Sequence, residues 1–94
     1  MLTVNEYFSG NVKSIALQTR TLPATIGVMA AGEYTFSTDC LEIMSVVSGE
    51  LVIKLPAQEE WHTYIDGQVF EVPANCEFQV KATVDTAYFC KYQK

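Results

Sequence analysis

The feature that most constrains this chain is its rhythm. No window of a dozen residues keeps apolar residues at i, i+3, i+4 and i+7, so no helix is predicted. Short runs rich in Val, Ile, Thr, Tyr and Phe recur about every ten residues instead, with turn residues between them. "TVNEYF" precedes the turn "SGN", and "VKSIALQ" follows it. "TIGVMA" leads to "AGEYTFS", and "EIMSVV" leads to "SGELVIKLP". "WHTYI", "DG", "QVFEVP", "AN", "CEFQVKA" and "TAYFCKYQ" complete the series, giving nine or ten strands. A chain built this way closes its core as a sandwich or a barrel. Ser48-Gly49 and Asp66-Gly67 are hairpin dipeptides, because glycine accepts positive φ cheaply. Pro56 and Pro73 lack an N–H and belong at strand ends or bulges.

Strand parity then sorts side chains by face. If Glu42 points inward, so do Met44 and Val46. Leu51, Ile53 and Leu55 form an apolar face opposite Glu50 and Lys54. Phe78 and Val80 face in; Glu77, Gln79 and Lys81 face out. Tyr88, Cys90 and Tyr92 share one face. The predicted interior is aromatic and apolar, with Glu42 as its exception.

Composition narrows the function classes. The 94 residues suit one domain, residues 1–94. Hydrophobic residues make up 49% and charged residues 18%, which is globular composition. Net charge is −5, which repels a polyanion, so nucleic acid is not an expected partner. No apolar run reaches the roughly 20 residues of a membrane helix. The start lacks a basic, then apolar, signal-peptide pattern, so a cytoplasmic protein is expected. Three widely spaced cysteines, Cys40, Cys76 and Cys90, fit neither a disulfide framework nor a zinc pair, and read as reduced thiols. The lone histidine, His62, gives no sign of serving a catalytic thiol as base.

Two segments carry the spacing of a known frame. Gly32, five residues, Thr38, Cys40, Glu42, six residues and Gly49 resemble the first cupin motif. Gly67, five residues, Pro73 and then Phe78 resemble the second. The three positions where cupins carry metal-binding histidines hold Thr38, Cys40 and Phe78 instead. Over nearly the whole chain, "NEYFSGNVKSI", "GVM", "GEYTFST", "SGEL", "VP", "EF" and "YFCKY" resemble the small single-domain cupins of the pyrimidine/purine nucleoside phosphorylase family.

That resemblance implies an all-β, cupin-type double-stranded β-helix, a jelly-roll barrel. It implies phosphorolysis of nucleosides to free base and ribose 1-phosphate in a homodimer. The chemistry needs positioning and electrostatics, with no metal or cofactor, because the nucleophile is phosphate from solution. Glu42 is the candidate catalytic group: burial raises a carboxyl pKa and lets it assist the leaving base or hold ribose hydroxyls. Ser37 and Thr38 offer hydroxyls to phosphate or ribose; Phe36, Phe78 and Tyr88 offer faces to the base, and Met44 shares the inward face. The resemblance points to Lys13 ("VKS") and Lys91 ("CKY") as phosphate cations. Tyr7 and Phe8 are placed at the barrel mouth or in a dimer interface. Three other readings stand beside the enzyme: a metal-free cupin that binds a metabolite without turnover, a metal site built from Cys40, Glu42 and His62, and a structural partner protein that uses exposed sheet edges.

Overall fold

The computed structural model describes all residues, Met1–Lys94. It contains ten strands and no helix. They are β1 (Val4–Tyr7), β2 (Val12–Gln18), β3 (Pro23–Met29), β4 (Gly32–Ser37), β5 (Leu41–Ser48), β6 (Glu50–Lys54), β7 (His62–Ile65), β8 (Val69–Val72), β9 (Glu77–Ala82) and β10 (Thr86–Gln93). The apolar runs and turn dipeptides of the sequence mark nearly all of them. Phe8 is an exception: expected in the first strand, it lies in the turn that follows.

The strands form two antiparallel sheets. The larger has six strands in the order β1-β2-β3-β10-β5-β8, the smaller four in the order β4-β9-β6-β7. β10 sits at the centre of the larger sheet, pairing Tyr88 with Gly27 on one side and Cys90 with Met44 on the other. The inner faces carry the core, in which Val12, Met29, Val46, Leu51, Ile53, Val72 and Val80 are almost wholly buried. Each comes from an alternating position of its strand, as period-two patterning requires.

The sheets have two seams, and these differ. At one, Asp66 and Gly67 form not a hairpin but a crossover from β7 of the smaller sheet to β8 of the larger. Ser48 and Gly49 do the same between β5 and β6, because each of these strands pairs with another partner. Tyr64 stacks on Phe70 at the β7–β8 crossover, with ring centroids 4.4 Å apart. At the other, the edge strands β1 and β4 come from different parts of the chain, and the interior opens between them. Gly49, between β5 and β6, shows why its position demands glycine. Its φ is +124°, and a Cβ there would lie 2.4 Å from Thr86 Oγ1. Its N–H donates to Asp66 Oδ1 at 2.7 Å, tying the β5–β6 turn to the closed seam.

Candidate active site

The open end of the interior is a cavity of about 730 Å³, within the usual range for small-molecule sites. Its two ends differ in chemistry. Toward the β1–β4 seam lie Phe8, Phe36 and Phe78; Phe36 and Phe78 are cross-strand partners with rings stacked at 5.7 Å. On the larger sheet lie Ser14, Glu42, Tyr88, Cys90 and Tyr92, with Asp39 beside them on the β4–β5 connection.

Strand register assembles the polar wall. Glu42 of β5 is the Cα partner of Tyr92, two residues beyond Cys90 on β10. The Cys90 thiol donates to Glu42 Oε1 at 3.5 Å. Tyr92 and Thr25 hydroxyls are 2.9 Å apart. Tyr88 reaches its place because Gly27 leaves room: a Cβ on Gly27 would meet the Tyr88 hydroxyl at 2.7 Å. Ser14, only 4% exposed, faces the same space.

Burial sets the protonation of this wall. Desolvation raises the pKa of Glu42; the Cys90 hydrogen bond opposes this, and nearby Asp39 adds to it. Tyr88 is pushed up to about 12, mainly by burial, with a hydrogen bond to Ser14 pulling the other way. The Cys90 thiol is raised by burial and then by Glu42, and the Tyr92 phenol by burial against its bond to Thr25. Cys40 is also raised, by burial first and Asp39 second. Burial thus favours the neutral forms of Glu42, Tyr88, Cys90 and Tyr92 along this wall.

Seven of the residues singled out from the sequence line this cavity: Phe36, Ser37, Thr38, Glu42, Met44, Phe78 and Tyr88. Thr38 has a further task. Its hydroxyl donates to the Pro73 carbonyl at 2.7 Å and accepts the Cys76 N–H at 3.2 Å, while its own N–H donates to the Cys76 carbonyl at 2.9 Å. That hydroxyl latches the β4–β5 connection to the β8–β9 turn.

The structure does not bring Lys13 or Lys91 to the cavity. Lys13 alternates with the buried Val12 and Ser14, so it points outward, 3.6 Å from Glu6. Lys91 lies between the inward Cys90 and Tyr92 and turns out, its ammonium 5.8 Å from the Phe89 ring centroid. The cavity lining contains no lysine or arginine. Cys40, Glu42 and His62 do not converge either: His62 is exposed on β7, the edge strand of the smaller sheet. No three His, Cys, Asp or Glu side chains are grouped to hold a metal ion. Ser14, Asp39 and Tyr92 also line the cavity, beyond the site residues expected from the sequence. For Ser14 and Tyr92 the signal existed in strand parity, but Asp39 lies in a connection where parity does not apply.

Ten strands in two antiparallel sheets around an off-centre cavity make a cupin-like fold. An RmlC-like cupin from Shewanella frigidimarina shares this fold with a TM-score of 0.76 at 18% identity, over 97% of this chain and 82% of the other. A protein of unknown function from Vibrio parahaemolyticus superposes with a TM-score of 0.95 at 40% identity, covering 99% of both chains. The family model of pyrimidine/purine nucleoside phosphorylase matches residues 2–92. A relative from Saccharophagus degradans carrying that name is 71% identical over 92 residues, 98% of each chain. The chain belongs to the pyrimidine/purine nucleoside phosphorylase family.

Proposed function

We propose that the cavity binds a purine or pyrimidine nucleoside with inorganic phosphate and catalyses phosphorolysis without a metal. A phosphate oxygen forms a bond to C1′ of the ribose. The glycosidic C1′–N bond breaks, its electron pair leaves with the base, and the base takes up a proton. The products are free base and ribose 1-phosphate. The transition state resembles an oxocarbenium ion, as in glycoside cleavage.

The observation that carries this reading is Glu42, a carboxyl group with a raised pKa on the wall of an aromatic cavity. Protonated Glu42 supplies the departing base with a hydrogen-bond donor or a proton. Its neutral form also suits a phosphate binding where no cation lines the cavity. Hydroxyls of Ser14, Ser37 and Tyr88 are then the donors to phosphate and ribose, and Phe36 and Phe78 form the wall for the base. Stacking against such a wall tolerates both base classes, because it offers few base-edge hydrogen bonds.

Incubating the protein with uridine or inosine and phosphate, with a chelator present, yields free base and ribose 1-phosphate. Glu42→Ala lowers kcat by about 10²- to 10⁴-fold with the fold retained. Absence of product from the wild-type protein would sink the activity; an active Glu42→Ala would sink the residue's role.

One observation favours a second reading. A cavity without lysine or arginine suits a neutral nucleoside better than a phosphate anion, as in a binding module. A nucleoside-dependent rise in Tm without turnover would select it.

We also place the chain in a cytoplasmic homodimer. The outer face of the six-stranded sheet exposes Ile15, Leu17, Ile26, Val28, Val47 and Val69 by 38–55%, more than scattered surface residues explain. Lys91 and Glu71 flank Ile43 across that face, so a twofold copy can set each charge against its opposite. Light scattering reads the mass directly.

A further inference from the structure

The β1–β2 turn places two consecutive residues, Tyr7 and Phe8, on the wall of one cavity. A regular strand cannot do this, because successive side chains point to opposite faces. Tyr7 pairs with the buried Val12 and faces in by ordinary parity. Phe8 should therefore face out. It faces in because Phe8, Ser9 and Gly10 all adopt left-handed backbone, with φ of 53°, 58° and 85°. Hydrogen bonds from Gly10 N–H to Tyr7 O at 3.2 Å and from Asn11 N–H to Phe8 O at 3.1 Å close this left-handed turn.

Left-handed backbone is uncommon for a bulky residue and persists where something holds it. Here the holding contacts are aromatic. The Phe8 ring lies 5.0 Å from Tyr34 and 5.5 Å from Phe36, edge-on to the latter at 84°. Both partners belong to β4, the edge strand across the open seam. Phe8 thus reaches from the edge of one sheet to the edge of the other, over the aromatic end of the cavity. It is still 43% exposed, and the strand before it, β1, pairs with β2 alone.

We propose that Phe8 is the gate of the cavity and the residue that closes over the base. This rests on the phosphorylase reading above and adds to it a specificity-determining side chain. The base takes the place of the Phe8 edge against Phe36, and the Phe8 ring then covers its other face. Ribose and phosphate lie deeper, against the polar wall, and do not touch Phe8. The turn keeps the ring aimed at the seam while leaving it exposed enough to swing.

The test uses the reverse reaction, in which base and ribose 1-phosphate are separate substrates. In Phe8→Ala, KM for hypoxanthine and uracil rises about tenfold or more, as expected for loss of an aromatic stacking partner, while KM for ribose 1-phosphate stays within about twofold. Phe8→Leu, which keeps apolar bulk without a ring, shows the same selective loss and serves if the alanine variant folds poorly. Phe8→Tyr recovers the greater part of it. An unchanged base KM in Phe8→Ala and Phe8→Leu overturns the gate. So does an equal rise for base and ribose 1-phosphate, which means general damage to the cavity. If the wild-type protein shows no turnover, the phosphorylase reading fails separately. The gate is then judged by calorimetric affinity for inosine, where an unchanged Kd in Phe8→Ala overturns it and a weakened one supports it.

Discussion

The two seams between the sheets solve one problem in opposite ways. At the β7–β8 seam the chain itself crosses over, through Asp66 and Gly67. Backbone bonds fix the crossing: Gly67 N–H donates to Val46 O at 2.8 Å and Val46 N–H to Gln68 O at 3.0 Å. Asp66 holds Gly49, Gln68 Oε1 accepts the Ile65 N–H at 2.8 Å, and the Tyr64–Phe70 stack seals the interior. At the β1–β4 seam the crossing is made by one exposed aromatic ring on a left-handed turn. The first seam is held by many mutually supporting bonds; the second is spanned by one ring that is 43% exposed. A gate at Phe8 would put the opening of the cavity at the second.

The largest expected effect comes from breaking the sealed seam. Phe70 is 6% exposed, and Phe70→Ala there should destabilise the protein by about 3–5 kcal/mol, the usual range for a buried aromatic. Denaturant titration reads this as a lower midpoint at an unchanged slope. Phe8→Ala in the same assay should lose under about 1 kcal/mol, because its ring is half in solvent. Equal losses at the two seams would erase the distinction between them.

Glu42 sharpens the comparison from the interior, where both seams meet the core. Its folded pKa is raised above the ordinary 4.5, mainly by burial. Below the unfolded value the carboxyl is protonated in both states, and its contribution is favourable. As pH rises through the folded pKa that contribution is lost, because charging Glu42 is harder in the cavity than in the unfolded chain. Glu42→Gln carries no charge at any pH. It should match the wild type near about pH 4 and be the more stable of the two near about pH 8. Thermal melts at both values read the gap. A gap that is constant with pH would mean that Glu42 is not desolvated.

Most of this architecture was legible because period-two alternation is local. Glu42, Met44 and Val46 declare a shared face from their spacing alone, as do Tyr88, Cys90 and Tyr92. The same rule, applied to Lys13 and Lys91, turns both lysines outward. They were tied to phosphate by family resemblance, which carries no information about facing. Thr38 could be placed at the cavity but not given its latch, since its partners Pro73 and Cys76 are 35 and 38 residues away. Phe8 was hardest to read in detail. Its inward turn depends on left-handed backbone at a residue type that avoids it, and only contact with Tyr34 and Phe36 makes that conformation sensible.

The smallest expected effect isolates that conformation. Ser9 follows Phe8 in the left-handed turn, at a φ of 58°, and serine has a Cβ that disfavours this region. Glycine would adopt it without that penalty but would loosen the unfolded chain, which costs part of the gain. The two terms leave Ser9→Gly more stable by roughly 1 kcal/mol or less. No side-chain hydrogen bond of Ser9 stands to be lost, and its backbone keeps the same geometry. A Tm rise of a few degrees would locate backbone strain in the open seam. A fall in Tm would mean that Ser9 is relaxed where it stands. Phe8 would then be held by its aromatic contacts and the turn's own hydrogen bonds without strain, and the turn would be a hinge rather than a spring.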